Sequence, residues 1–382
     1  MPHHLQIFRK LDEAEPLWRR LEATGAGTAF QSYRWLKAWE AHVAPARGEQ
    51  SLIVAGSTAD GAPQFLLPMA TQTVQGATVL GWLGQAHATY AMGLYAPGVA
   101  QTLTPDGLKA ILALVRTEVI GLSAVQLRNQ PAGWGGAANP FAGLEAIPSA
   151  NRSHLVALTP GQPESLAGTL SKATRGKLKR STRRLEDLPG FRFEGATSTE
   201  RRLALLDVFL AQKKQQFAER GIANPFEAPG IAAFYRDLAT EREGTPALLE
   251  CSALHAHGEV LATATSISYD TCRHLLTLSL GDMAPEILKL SPGLTLMQLL
   301  MEQASADGMS AYDLGAGEGQ HKAIWQPSPV PLVDVYMPLS IGGYAVTLAA
   351  SGGALAKRFI KSNRRLWQAA QQARKLLRAS GR

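Results

Sequence analysis

The chain has 382 residues, 46% of them hydrophobic and 18% charged, with 36 Gly and 22 Pro; this ordinary globular composition excludes collagen-like, fibrous and disordered classes. At roughly 150 residues per domain, the length predicts two domains and a tail. The net charge of +7 is unevenly placed. Residues 171–185 carry seven cations and no acid, residues 357–382 carry nine and no acid, and the remainder holds 22 basic against 31 acidic residues, a net −9. Two cysteines, Cys251 and Cys272, are too few for a disulfide framework in a chain this long. The first twenty residues lack the apolar core of a secretory signal, and no run of 18 apolar residues predicts a membrane span. The expected location is the cytoplasm, with the basic tail available for a peripheral contact at the inner membrane.

Residues 1–150 read as an α/β unit. Phe30, Tyr33, Trp35, Leu36 and Trp39 recur at helical spacing behind Ser32 as N-cap. Strands are expected at 51–55 and 64–71, and a helix over 103–117 with Thr104 capping and Pro105 in the first turn. A Gly/Pro/Asn-rich stretch at 129–153 marks the boundary. The second domain, expected over 151–340, opens with a basic helix at 171–188. A strand at 191–194, helices at 199–220 and 231–241, and strands at 247–255, 260–269 and 273–281 follow. A helix starting at Ser291-Pro292-Gly293 and ending at Gly308, a strand at 311–315, a short helix at 318–326 and a last strand at 332–339 complete one mixed sheet flanked by helices. Residues 341–382 read as a basic amphipathic helical tail, with Leu355, Phe359, Leu366, Ala370, Ala373 and Leu377 at helical spacing.

Three constellations bear on chemistry. Tyr312-Asp313-Leu314-Gly315-Ala316-Gly317-Glu318-Gly319 superficially reads as a nucleotide loop, and Asp334 mimics a ribose ligand. Pro327, Pro329 and Pro331 leave no room for the full crossover helix a Rossmann unit needs, so a methyltransferase is disfavoured; a P-loop fails for want of Gly-Lys-Ser/Thr. Ser291-Pro292-Gly293-Leu294-Thr295 reads either as a helix cap or as an anion-binding helix start. His321-Lys322, with Trp325, follows the strand end at Gly315: the Lys can hold an oxyanion or an acidic substrate and the His can shuttle protons, or the Lys is a solvated surface residue. On the basic helix, Lys172, Arg175, Lys179 and Arg183 share one face. That face suits a nucleotide-linked phosphate, tRNA or an acyl carrier protein, the alternative being a merely solvated face. His3-His4 and His255-x-His257 lack the spacing of a metal site.

In this order the pieces resemble the GNAT-fold acyltransferases of the CelD/BioF2-like type and, more distantly, the FemAB peptidoglycan transferases. The resemblance rests on Ser171-Lys172 through Arg175, Lys179, Arg180, Arg183 and Leu185-Glu186, on Ser291-Pro292-Gly293-Leu294, and on Tyr312-Asp313-Leu314-Gly315-Ala316-Gly317 through His321-Lys322 and Trp325. Phe30-Gln31-Ser32 through Trp35 and Trp39 adds to it; His321 replaces the usual aromatic, and Ala88-Thr89-Tyr90 departs from the usual Ser-Asp-Tyr. It implies two tandem GNAT-like α/β modules with the acceptor between them. Lys322, His321 and Asp313 are then the catalytic candidates, Lys322 stabilising the oxyanion. Ser291, Gly293, Leu294 and Thr295 stand where the pyrophosphate of acetyl-CoA or another acyl-CoA is held. Arg175, Lys179, Arg183, Tyr90 and Trp325 are the substrate-binding candidates. The implied activity is transfer of an acyl group, acetyl above all, to an amine or hydroxyl of a cell-envelope polysaccharide or nucleotide-sugar precursor, without a metal. The alternatives are aminoacyl transfer from tRNA, or a catalytically silent module in polysaccharide assembly.

Overall fold

In the first half of the chain, polar caps and alternating apolar runs set the elements. Ser32 accepts from the Trp35 N–H to start a helix, and Thr104 accepts from the Gly107 N–H to start another, with Pro105 at its first position. The computed structural model describes residues 4–24 and 27–363. Its elements through Pro131 are β1 (His4–Phe8), α1 (Leu11–Glu22), α2 (Tyr33–His42), β2 (Gln50–Ser57), β3 (Pro63–Val74), β4 (Ala77–Trp82), α3 (Pro105–Glu118) and β5 (Leu122–Pro131). The next stretch holds β6 (Ser153–Ala157), α4 (Lys172–Glu186), β7 (Arg192–Gly195), α5 (Thr199–Arg220), α6 (Ile231–Ala239), β8 (Leu249–Ala256), β9 (Glu259–Tyr269) and β10 (Cys272–Leu280). The chain finishes with α7 (Pro292–Ala306), β11 (Ala311–Asp313), α8 (Gln320–Ala323), β12 (Ser328–Val330), β13 (Leu332–Pro338) and α9 (Ile341–Ser362).

The chain forms two units: the described residues up to Arg152 together with those from Val330 onward, and Ser153–Pro329. In the first unit the sheet order is β1-β2-β3-β4-β5-β13, closed by the short strand Ile147–Pro148, with Leu94–Tyr95 pairing β3. In the second it is β7-β8-β9-β10-β11-β6-β12. The two sheets repeat one plan. Four strands meander antiparallel, a helix (α3 or α7) crosses over to a fifth strand parallel to the fourth, and a sixth strand closes antiparallel. Each unit is thus a mixed sheet flanked by helices, and the fold is two tandem GNAT-like α/β modules.

One strand lies elsewhere than expected. Leu332–Pro338 was expected to end the second sheet, but it runs antiparallel to β5 in the first, Val335 facing Leu127 in the register. Val335 is fully buried, so its apolar face completes the first core rather than the second. Of the tail, α9 is described; Val346 packs with Val79 and Ala124 of the first unit, and no described helix is long and apolar enough to cross a membrane. Arg364, Arg365, Leu366, Ala370, Ala373, Arg374, Lys375, Leu377, Arg378 and Arg382 lie outside the described residues.

The core of the second unit lies on the α4/α7 side of its sheet, where Leu178 and Leu185 of α4 and Leu296, Leu300 and Met301 of α7 meet Tyr312, Leu314 and Trp325. The opposite face is covered by α5, which Ser198 caps and Gly221, at φ 60°, terminates in the left-handed conformation.

Candidate active site

Strands β10 and β11 run parallel for three registered pairs, Cys272 with Ala311, Arg273 with Tyr312 and His274 with Asp313. Beyond them β10 continues to Leu280, while the chain after β11 turns away at Gly315 and Gly317, both with positive φ. Lys322 on α8 returns to this point. Its ammonium donates to the carbonyls of Gly315 at 2.9 Å and Ala316 at 3.1 Å. The side chain is buried, which pushes its pKa from 10.5 down to about 8 against the opposing charges of Asp313 and Glu318. An ammonium has three donors. Two are used within the described residues.

Asp313 is fully buried. Its Oδ1 accepts from the Ser153 hydroxyl at 2.9 Å and the Gly315 N–H at 2.8 Å, and its Oδ2 lies 3.0 Å from His274 Nδ1. Burial works against its charge, but His274, the Gly315 N–H and Ser153 together hold the carboxyl below its ordinary range. The string that superficially reads as a nucleotide loop is therefore a turn tied by its own aspartate. The aspartate positions the turn whose carbonyls hold Lys322. His321 is exposed overall, and partial desolvation of its ring together with the neighbouring Lys322 lowers its pKa. Its imidazole occupies the space a side chain on Gly319 would need, since a Cβ there would fall 2.4 Å from the ring. Trp325 is buried in the second core and contributes packing there.

The Ser291 turn is not a simple cap. Ser291 is left-handed at φ 57°, its side chain makes no capping bond, and Pro292 follows at the first helical position. Non-glycine residues in that conformation carry strain of about 1–3 kcal/mol, and a following proline disfavours it further. Gly293 serves packing: a Cβ would lie 3.1 Å from Leu280 and 3.3 Å from Leu278, both on β10. Leu294 is half-buried against the same core, and the buried Thr295 hydroxyl meets that of Thr182 at 3.3 Å, tying α7 to α4.

Arg175, Lys179 and Arg183 come together. With Leu166, Leu170 and Leu178 they line an open groove of about 470 Å³, apolar at its floor and cationic at its rim. Tyr90 belongs to the first unit, fully buried against Phe30 and Trp134, its carbonyl accepting from Gln31 Nε2 at 2.9 Å. Cys251 and Cys272 are buried and their thiols pushed up, Cys251 to about 12, so neither is poised as a nucleophile.

Residues 172–323 match the Acetyltransf_6 family profile, an acetyltransferase (GNAT) domain. This segment is a GNAT domain. A structure of FemX superposes with a TM-score of 0.56 at 11% identity, covering 87% of this chain and 96% of that one. L-PGS from Bacillus licheniformis gives 0.51 at 14% identity over 87% and 95%, and a conserved protein of unknown function from Bacteroides thetaiotaomicron gives 0.52 at 10% over 88% and 100%. At these identities the likeness is one of fold, and it extends over both modules. No curated protein matches the chain. The GNAT domain contains α4, the Ser291 turn, the β10/β11 parting and Lys322, and the protein is an acyltransferase.

One residue escaped sequence reading. Lys213 on α5 is buried, and its ammonium donates 2.7 Å to the carbonyl of Leu278 on β10, beyond the last pair that strand makes with β11. The available signal was helical period: Leu205, Leu206, Phe209, Gln212 and Lys213 share the inward face of α5.

Proposed function

We propose that the GNAT domain transfers an acyl group directly from acyl-CoA to an amine or hydroxyl, with Lys322 donating to the carbonyl oxygen as it becomes an oxyanion. The acceptor nucleophile attacks the thioester carbon, the tetrahedral intermediate collapses, the carbon–sulfur bond breaks and the thiol leaves with a proton. The observation that carries this reading is Lys322 itself, a buried ammonium just beyond the parting of β10 and β11 with one donor left over. Donors held in a water-poor site act where charge develops and need no reorganisation. A pKa near 8 keeps the ammonium protonated through most of the neutral range, as a donor must be.

The fit of CoA is partial. The uncommitted Ser291 side chain at the start of a four-turn helix suits a pyrophosphate, but Gly293 is taken up by Leu278 and Leu280 rather than forming a glycine cradle. Residues Ser291 and Thr295, with Arg175, Lys179 and Arg183 nearby in the fold on α4, are the ones assigned to the donor and to an anionic glycan or nucleotide-sugar acceptor. A second reading, an aminoacyl-tRNA donor, is favoured by the α4 groove: three of the seven cations of α4 line it against one carboxylate, Glu186, and a polyanion matches that excess. The test is thiol release from acetyl-CoA over a panel of amino sugars and nucleotide-linked sugars, in parallel with transfer from charged tRNA. Acceptor-dependent thiol release supports the first reading; transfer from tRNA alone overturns it.

A further inference from the structure

The α5 face of the second sheet carries a buried polar layer that the transfer chemistry does not use. Gln212 accepts from the Thr263 hydroxyl at 2.7 Å, which places Thr263 of β9 on this face. Thr263 is opposite Ser279 of β10 in the register and Thr265 is opposite Thr277, so all four hydroxyls lie beneath α5. Leu278 and Leu280, alternating with them, pack toward α7 instead. Among these residues the fully buried Thr265 and Ser279 hydroxyls have no hydrogen-bond partner within the described residues.

Over this layer stands Lys213, 6% exposed. It donates to Leu278 O at 2.7 Å and Gln216 Oε1 at 3.3 Å, and its charge lies 5.6 Å from the Phe209 ring. No carboxylate forms an ion pair with it among the described residues, and the charge of Arg220 repels it. Burying an ammonium against a carbonyl, an amide oxygen and a ring is costly without a counter-anion. A methionine would fill the same space on the inward face of α5 without that cost.

Lys213 and Lys322 are placed alike. One donates to a carbonyl of β10 past its last pair with β11, the other to carbonyls just past the end of β11. Both ammoniums thus bond backbone carbonyls where β10 and β11 no longer pair. We propose that Lys213 is the binding residue for an acidic group of the acceptor, a carboxylate or a phosphate, held on the α5 side of the sheet where β10 parts from β11, beside the Thr265 and Ser279 hydroxyls. The inference rests on the acyl-transfer reading only in calling the ligand an acceptor.

The test needs no acyl donor, so its failure and that reading's failure are distinguishable. Thermal unfolding of the full chain is titrated with inorganic phosphate and with acetate, sodium chloride holding ionic strength constant. The wild type is expected to shift upward and saturate with one or both anions; a response to phosphate alone assigns a phosphorylated acceptor, and to acetate alone a carboxylic one. Lys213→Gln is expected to weaken that affinity about tenfold or more, the loss of a charge-assisted hydrogen bond. Lys213→Arg is expected to retain it. Should Lys213→Gln not fold, the ζ-nitrogen resonance of wild-type Lys213 is followed instead and is expected to move to saturation. The proposal is overturned if neither anion acts beyond chloride, if Lys213→Gln binds as tightly as the wild type, or if the resonance stays still; the lysine is then a strut for Leu278.

Discussion

Replacing Lys322 by Met separates a catalytic lysine from a structural clip. A pKa depressed from 10.5 to about 8 means that the charged form costs about 3 kcal/mol at neutral pH, at ~1.4 kcal/mol per tenfold change in proton activity. Met removes that cost but leaves the Gly315 and Ala316 carbonyls without their donor, about 1–3 kcal/mol each. The two terms oppose each other, so stability at pH 7 is expected to change by no more than about 3 kcal/mol. Losing an oxyanion donor slows transfer by about 10²–10³-fold. The pH dependence carries a signature. Below pH 8 native and unfolded chains both hold the Lys322 proton; between about 8 and 10.5 only the unfolded chain holds it, so wild-type stability rises with pH in that window. Lys213, also near 8, adds a slope of the same sign, and the difference between wild type and variant isolates Lys322. Urea unfolding followed by tryptophan fluorescence at pH 7 and 9.5, alongside initial transfer rates, measures both. A variant destabilised by 4 kcal/mol or more, or one that keeps its rate, would refute the reasoning.

Asp313→Asn keeps the shape but turns an acceptor of three bonds into a half-donor, and a loss of about 2–4 kcal/mol is expected. Because the folded carboxyl titrates below its ordinary 3.8, wild-type stability from this group is complete above about pH 4 and fades as pH falls through the lower folded value; the variant's urea midpoint should be flatter between pH 6 and 3. Gly343→Ala puts a Cβ 1.8 Å from the Ser123 carbonyl oxygen, a backbone atom, so α9 must shift. The helix-propensity gain of about 1 kcal/mol is outweighed, and a net loss of about 1–3 kcal/mol in the denaturation midpoint is expected.

Much of the second module was legible because its signals are local. α4 and α5, capped by Ser171 and Ser198, fall where helices over 171–188 and 199–220 were expected, and the β8–β9–β10 meander declares itself through runs of apolar residues broken at His257-Gly258 and Asp270-Thr271. The Lys322 neighbourhood was legible as a motif, but the job of Asp313 was not. Its partners Ser153 and His274 are distant in sequence and meet it only because β6 and β10 flank β11. Lys213 hid for a different reason, since a lysine within a helix is ordinarily read as solvent-facing. β1 and α1 were passed over where His4–Phe8 is short and Pro16 interrupts the helical pattern.

The strand found in the wrong module has a consequence for how the chain can be divided. The second unit is continuous, Ser153–Pro329, and carries its own closing strand β6. The first is not: its sixth strand, β13, arrives from the far side of the GNAT domain, with α9 behind it. Cutting after residue 152 strips β13 from β5, a pairing that runs from Leu332/Pro131 to Pro338/Ala124. Leu332 and Val335 are buried there, and exposing two such side chains costs about 3–6 kcal/mol before the lost strand bonds are counted. Against a total of about 5–15 kcal/mol for a domain, that is enough to unfold many of them. A fragment of residues 153–329 is therefore expected to unfold cooperatively, whereas one of residues 1–152 is expected to show no sharp transition until the 330–363 segment is supplied, either fused or as a peptide. A sharp transition in the isolated 1–152 fragment would mean that β5 tolerates an open edge and that the exchanged strand contributes little to the first core.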